Sequence, residues 1–290
     1  MSTSARARDI VFTRHSARRG LAWLVEAYGL FSRARLQWLL LLAIYYAIMY
    51  AVLRTSQAGQ FIALLLKPLF AVGLLAAAWT QERGGRPATS HLFQGFRANL
   101  FALIPLGIVF IAGIMAAIGV TALIDGGALR ELMSLSGAAG DAGDVDADRR
   151  TLEQLIASGQ AQKSLLIALL LCLPAVLANW FAPALVVFQD AGPLTALGAS
   201  LRAAIANWRP LLVYALAVIL FGALLPIVAT MIVLMLSPNE ATRYFVQVAY
   251  LVYGLMFAAV LHIADYTSYR DVFHAGETLA PLDRSGGKSS

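Results

Sequence analysis

Six long apolar runs, set apart by short polar stretches, dominate the pattern along the chain. They fall at 36–53, 58–79, 100–124, 164–188, 210–236 and 244–264. A helix rises about 1.5 Å per residue, so about 20 apolar residues cross a hydrocarbon core about 30 Å thick. The shortest run has 18 residues and rises about 27 Å, which barely suffices. Lipid supplies no water to the backbone, so each run must satisfy its own amides as a helix. The alternating strands of a membrane barrel, about ten residues each, are absent. The pattern predicts an all-α polytopic membrane helix bundle, with about six transmembrane helices filling 36–264.

The polar stretches supply the rest of the organisation. Residues 1–35 are basic, and within them Ala17, Leu21, Leu24, Tyr28 and Phe31 recur at three- and four-residue steps. That spacing puts them on one helical face. It predicts a cytoplasmic tail with an amphipathic helix, either lying on the membrane surface or packed against the spans from that side. Directly before the third span, Leu92, Phe93 and Phe96 share a face and Arg97 follows. They are the candidate lipid-interface residues, with Arg97 at the lipid phosphates. The 125–163 loop is the one sizeable connection on the side away from the termini. Its centre, 136–148, is rich in Gly, Ala and Asp, and 151–158 reads as a short helix with Leu152, Leu155 and Ile156 on one face. Residues 265–290 form a polar C-terminal tail. Gln37-Trp38, Asn99-Leu100 and Asn207-Trp208 each open an odd-numbered span, a loose repeat that suggests three helical hairpins.

Charge fixes the expected orientation. The connections on the side of both termini carry 15 Lys and Arg and those on the other side 6, four of them in the 125–163 loop beside seven acidic residues. The positive-inside bias puts both termini in the cytoplasm of a bacterial inner membrane and the acidic loop in the periplasm. Trp23, Trp38, Trp79 and Trp208 fall at the expected inner boundaries, where indole rings favour the interfacial layer. Composition agrees: 60% of residues are hydrophobic and 13% charged, with mean hydropathy +0.73, whereas soluble domains carry about 25% charge. Arg18-Arg19 resembles the start of a twin-arginine signal, but Glu26, Arg33 and Arg35 interrupt the apolar stretch such a signal needs. No cleavable leader is expected.

Candidate chemistry is sparse. There is no Gly-rich phosphate loop, no HExxH and no nucleophile elbow. Asp144, Asp146 and Asp148 have the opening spacing of a calcium loop, but Arg149 and Leu155 stand where that loop needs Gly and Glu. The single cysteine, Cys172, lies in an apolar run and reads as a packing residue. Four polar positions are candidates for function inside the membrane. Lys67 is the one charge within a span, and its stem leans toward the N-terminal end of its helix, so the ammonium can reach the interface. Asn179 stands between Pro174 and Pro183, which predict a twice-kinked fourth span. His262 and Asp265 share a helical face. Ala112/Ala116, Gly113/Ala117 and Gly254/Ala258 permit close helix packing. No metal or cofactor site is expected.

Three stretches carry a resemblance. They are Arg83-Gly84-Gly85-Arg86-Pro87 leading into His91-Leu92-Phe93-Gln94-Gly95-Phe96-Arg97-Ala98-Asn99; Trp180-Phe181-Ala182-Pro183-Ala184-Leu185-Val186 leading into Asn207-Trp208-Arg209; and Ser268-Tyr269-Arg270-Asp271-Val272-Phe273. In that order they resemble a family of proteobacterial multi-pass inner-membrane proteins, distantly similar to membrane domains joined to some glycerophosphodiester phosphodiesterases. The resemblance covers roughly residues 15 to 275 and implies topology and location. It brings no catalytic residues, and no phosphodiesterase domain is present. The expectation is a non-enzymatic scaffold or accessory component. Its partners would be the lipid bilayer and a protein or a second copy of itself, not nucleic acid. The alternative is a small transporter or channel with a polar path near Lys67 and Asn179.

Overall fold

The structure is a computed structural model that describes residues 10–55, 58–97, 100–138, 145–237 and 239–274. Most of the C-terminal tail, part of the acidic loop centre including Asp144, and Ala98-Asn99 of the 91–99 segment lie outside them. Among the described residues every regular element is helical. In order they are α1 (Arg19–Arg33), α2 (Arg35–Thr55), α3 (Gly59–Glu82), a 3-10 turn at Thr89–Phe93, α4 (Gln94–Arg97), α5 (Leu100–Ile124), α6 (Ala128–Ala138), α7 (Val145–Ala157), α8 (Gln160–Trp180), α9 (Ala182–Phe188), α10 (Pro193–Ala206), α11 (Trp208–Ile219), a π-helical segment at Leu220–Leu224, α12 (Leu225–Leu236) and α13 (Glu240–Phe273). Six stretches are long and apolar enough to span a membrane: α2, α3, α5, α8 with α9, α11 with α12, and α13. They coincide with the six apolar runs. The last helix continues past 264 to Phe273.

Two compact units divide the chain, 1–107 with 178–290, and 108–177. In the larger unit α1 folds back onto α11 and α13. Gly20 makes this possible, because a Cβ there would sit 2.0 Å from the Pro210 carbonyl oxygen. The buried face of α1 is Gly20, Trp23, Leu24, Ala27, Leu30 and Phe31. This rotates the expected apolar face, since Leu21 and Tyr28 point outward and Trp23 points in. Trp23 and Trp38 are both fully buried. They are therefore core residues and not interfacial anchors, with indole N–H groups donating to Asp271 and Gln81. Trp208 does lie exposed.

The 3-10 turn and α4 fold back on α3 in the same way. Cβ atoms at Gly73 and Gly95 would meet the backbone of His91 at 2.5 Å and of Leu69 at 2.0 Å. From there a run of ring contacts leads inward from Phe93 through Phe96, Phe70 and Tyr45 to His262.

Two spans are broken, each where a proline removes a backbone donor. The fourth breaks at Phe181, two residues before Pro183. The Phe181 amide donates to Ser200 Oγ at 2.9 Å, so the interruption leaves that donor satisfied. The fifth passes through the π segment just before Pro226. There the Phe221 carbonyl accepts a hydrogen bond from the Tyr253 hydroxyl of α13.

The smaller unit contains the remainder of α5, α6, α7 and most of α8. Gly113 of α5 lets the two span segments approach, since a Cβ there would lie 2.8 Å from that of Ala175. At Gly254 a Cβ would meet nothing within 4 Å, so among the described residues Gly254 makes no such approach. Asp125 opens α6, accepting from the amides of Gly127 and Leu129 at 2.8 Å each. A small core joins Ala128, Leu155 and Ala161. Of the three residues expected on one face of α7, only Leu155 turns inward, while Leu152 and Ile156 are exposed. Asp146 and Asp148 lie within α7, a helical backbone and not an ion-binding loop.

Candidate functional site

Where α1 meets the end of α13 and the end of α3, five charged side chains from distant parts of the sequence converge. Arg19 clasps Asp271 with two nitrogens: Nε donates to Oδ2 at 2.6 Å and Nη2 to Oδ1 at 3.0 Å. Its Nη2 also lies 2.8 Å from Glu26 Oε1. Glu26 Oε2 accepts from Arg270 Nη2 at 2.6 Å. Arg270 Nη1 donates to Glu82, whose other oxygen accepts from the Tyr266 hydroxyl. Trp23 Nε1 adds a bond of 2.9 Å to Asp271. The two arginines and three carboxylates thus form one continuous chain. The hydrogen bond to Asp271, opposed by partial desolvation, holds the Arg19 guanidinium above its ordinary pKa.

A second set of bonds ties down the segment before α1. The Thr13 amide donates to the Val272 carbonyl at 2.7 Å, and the His15 amide to Asn207 Oδ1 at 2.8 Å. Asn207 Nδ2 returns a bond of 3.0 Å to the Thr13 carbonyl. His15 Nε2 also lies 3.0 Å from the Asp271 carbonyl oxygen, so Asn207 and the Asp271–Val272 backbone are the two anchor points.

Chemically this arrangement is a latch. Each carboxylate is held by at least one arginine, and bidentate or charge-assisted bonds of this kind fix geometry. A general acid or base would instead present an unsatisfied oxygen to a cavity. Among the described residues no three His, Cys, Asp or Glu side chains gather to hold a metal ion. Beside the latch lies a pocket of about 430 Å³, bounded by the α1–α2 corner and the turn after α3.

The candidate polar positions fall elsewhere. Lys67 is exposed on α3, and Asn179 is half-buried near the end of α8. His262 and Asp265 do meet, with Nδ1 3.6 Å from Oδ2, and the edge of Tyr45 packs on the imidazole. The candidate lipid-interface residues separate. Leu92 is fully buried, which removes it from any lipid contact, because the close approach at Gly73 draws the 3-10 turn into α3. Phe96 is half-buried against Phe70, while Phe93 and Arg97 face outward.

The latch residues were missed in the sequence. One signal for part of the latch exists: Glu26 and Glu82 are acids in otherwise basic segments flanking the spans, and an acid there implies a cation to meet it.

Comparison with known proteins places this architecture. The chain is 29% identical over 270 residues to a protein of Burkholderia thailandensis named as a probable inner membrane protein, covering 92% of this chain and 95% of that one. No family model matches, and no solved structure matches. None of these comparisons shows the likeness to phosphodiesterase-linked membrane domains. Six spanning helices, together with similarity along nearly the full length to such a protein, make this chain a multi-pass integral protein of the inner-membrane type.

Proposed function

We propose that the protein is a non-enzymatic scaffold or accessory component of the bacterial inner membrane, with both termini in the cytoplasm. The observation that carries this reading is the saturation of its most elaborate polar cluster, in which Glu26, Glu82 and Asp271 are all engaged by Arg19 or Arg270. Such a cluster holds helices in place and presents no free reactive group. The excess of Lys and Arg on the side of the termini supports the orientation. On this reading the latch sets the shape of a cytoplasmic face, and the lipid-exposed spans anchor it.

The alternative, a small transporter or channel, draws on Lys67 within α3 and on Asn179 beside the break at Phe181. One experiment separates the two. The full chain is isolated from native membranes in mild detergent, as the unaltered protein and as Lys67→Met and Asp271→Ala. A scaffold yields a stoichiometric assembly, with another protein or with itself, that survives Lys67→Met and weakens in Asp271→Ala. A chain that runs alone, with solute-dependent protection of Lys67 from an amine reagent, overturns the scaffold reading. Orientation is tested in a Cys172→Ser background with an impermeant thiol reagent. Asp144→Cys labels from outside, and Ser2→Cys and Ser289→Cys do not.

A further inference from the structure

We propose that the pocket beside the latch binds the phosphate-bearing headgroup of an anionic phospholipid, with Arg33 and Arg86 as its ligands. The two arginines line one cavity, Arg33 from the end of α1 and Arg86 from the turn after α3. Neither has a carboxylate partner among the described residues, whereas Arg19 and Arg270 nearby are fully paired. Glu82 also lines the pocket, but its oxygens are already taken by Arg270 and Tyr266. The cavity therefore presents two uncompensated guanidinium groups, whose planar forks suit phosphate oxygens.

The pocket is preformed on both sides. Gln81 in its lining is buried and held in place, its Oε1 accepting from Trp38 Nε1 and its Nε2 donating to the Leu30 carbonyl, both at 2.6 Å. Its far wall turns at Gly84, whose φ of +85° is a left-handed conformation that favours glycine. The following Gly85 packs so closely that a Cβ would meet Thr80 Cγ2 at 2.6 Å. These glycines set the direction in which Arg86 leaves the helix.

Size and position favour a lipid over a free anion. About 430 Å³ is far larger than a bare phosphate needs and falls within the range of about 300–1,000 Å³ that small-molecule sites occupy. The pocket lies where α2 begins and α3 ends, at the level where two spans leave the hydrocarbon. Gln37 lines it, and Leu40, one turn further along α2, is 53% exposed beside Leu36 at 76%. A headgroup held by the arginines would lay an acyl chain along these leucines.

The test uses the full chain in nanodiscs of phosphatidylcholine containing a minor share of phosphatidylglycerol, with retained lipid read by native mass spectrometry. The unaltered protein should hold phosphatidylglycerol in preference to phosphatidylcholine. The Arg33→Gln/Arg86→Gln protein should lose that preference by about tenfold, the equivalent of one charge-assisted contact. Arg33→Lys/Arg86→Lys, which keeps charge but not the fork, should fall between. Arg54→Gln, an exposed arginine in the final turn of α2, should change nothing. Equal retention by the unaltered and double-Gln proteins at equal melting temperature overturns the proposal. So does an equal loss in Arg54→Gln, which would mark nonspecific attraction. Displacement of the lipid by millimolar inorganic phosphate would assign the pocket to a free anion instead.

Discussion

Helix α13 contains two opposite regimes within one element. From Ala259 to Phe273 it carries Thr267, Ser268, Arg270 and Asp271, and ten of its residues in this stretch are buried. Between Tyr244 and Tyr253 it is almost wholly apolar and aromatic, yet Tyr244, Phe245, Val248, Tyr250, Leu251, Val252 and Tyr253 are all exposed. Its neighbour α12 has no buried residue at all. In a soluble protein the apolar half would be the core. Here lipid tails are as apolar as leucine, so burial of that half gains little, and association relies on close packing and hydrogen bonds. The polar half holds the tertiary structure because α1 and α3 pack against it and bring it complementary charge.

If that contrast is right, the largest losses come from changes that lift α1 off the polar half. Gly20→Val places a branched side chain against the backbone of Pro210, an obstacle that no rotamer change removes. Overpacking costs about 1–3 kcal/mol even where side chains can yield, so the loss here should reach about 3 kcal/mol or more. Thermal unfolding in detergent, followed by size-exclusion chromatography, should show a collapsed melting point. Gly29→Ala on the same helix is the control. A Cβ there meets nothing within 4 Å, and relief of the glycine helix penalty should stabilise by about 0.5–1 kcal/mol. Equal tolerance of both changes would break the comparison.

Asp271→Ala should come next. It leaves the fully buried Trp23 N–H without its acceptor and removes the bidentate partner of Arg19. An unsatisfied buried donor costs about 1–3 kcal/mol. Arg19 retains Glu26 and is about one-third exposed, which tempers the loss of the ion pair. A net loss of about 2 kcal/mol is expected, with Asp271→Asn costing about half as much because one acceptor remains. A blue shift or quenching change of Trp23 fluorescence in Asp271→Ala, absent in Asp271→Asn, would localise the effect to the latch.

The six spans were legible because lipid enforces a simple rule: a continuous apolar run of crossing length must be a helix. The latch was not legible, because its bonds join residues far apart. Arg19 and Asp271 are separated by 252 positions, Trp23 and Asp271 by 248, and Glu82 and Arg270 by 188. Sequence shows the charges without their pairing. Tryptophans misled for a related reason, since an indole suits both an interface and a polar core, and Trp23 and Trp38 use their N–H groups inward. The face of α1 was misread because apolar residues surround much of it, and Gly20, which decides the docking face, contributes no hydrophobicity. The π segment is not legible because Pro226 marks a missing donor without showing which carbonyl finds another, and here Tyr253, from a different helix, supplies that bond to Phe221.

The smallest expected effect is at the far half of α13, and it tests the contrast most directly. Leu251 is 72% exposed. In a soluble core, Leu→Ala costs about 2–5 kcal/mol, because transfer energy is lost and a cavity opens. At Leu251 there is no protein cavity to open, and the lipid or detergent that meets the leucine also meets the alanine. Surface substitutions away from specific contacts stay within about ±0.5 kcal/mol, and Leu251→Ala should do the same in detergent melting. Ile263→Ala, in the buried half of the same helix and fully inaccessible, should show the full core penalty. The difference between the two variants measures how far burial by protein differs from burial by lipid. A large loss at Leu251 would mean that protein covers this face in the isolated state, and would overturn its assignment as lipid-facing.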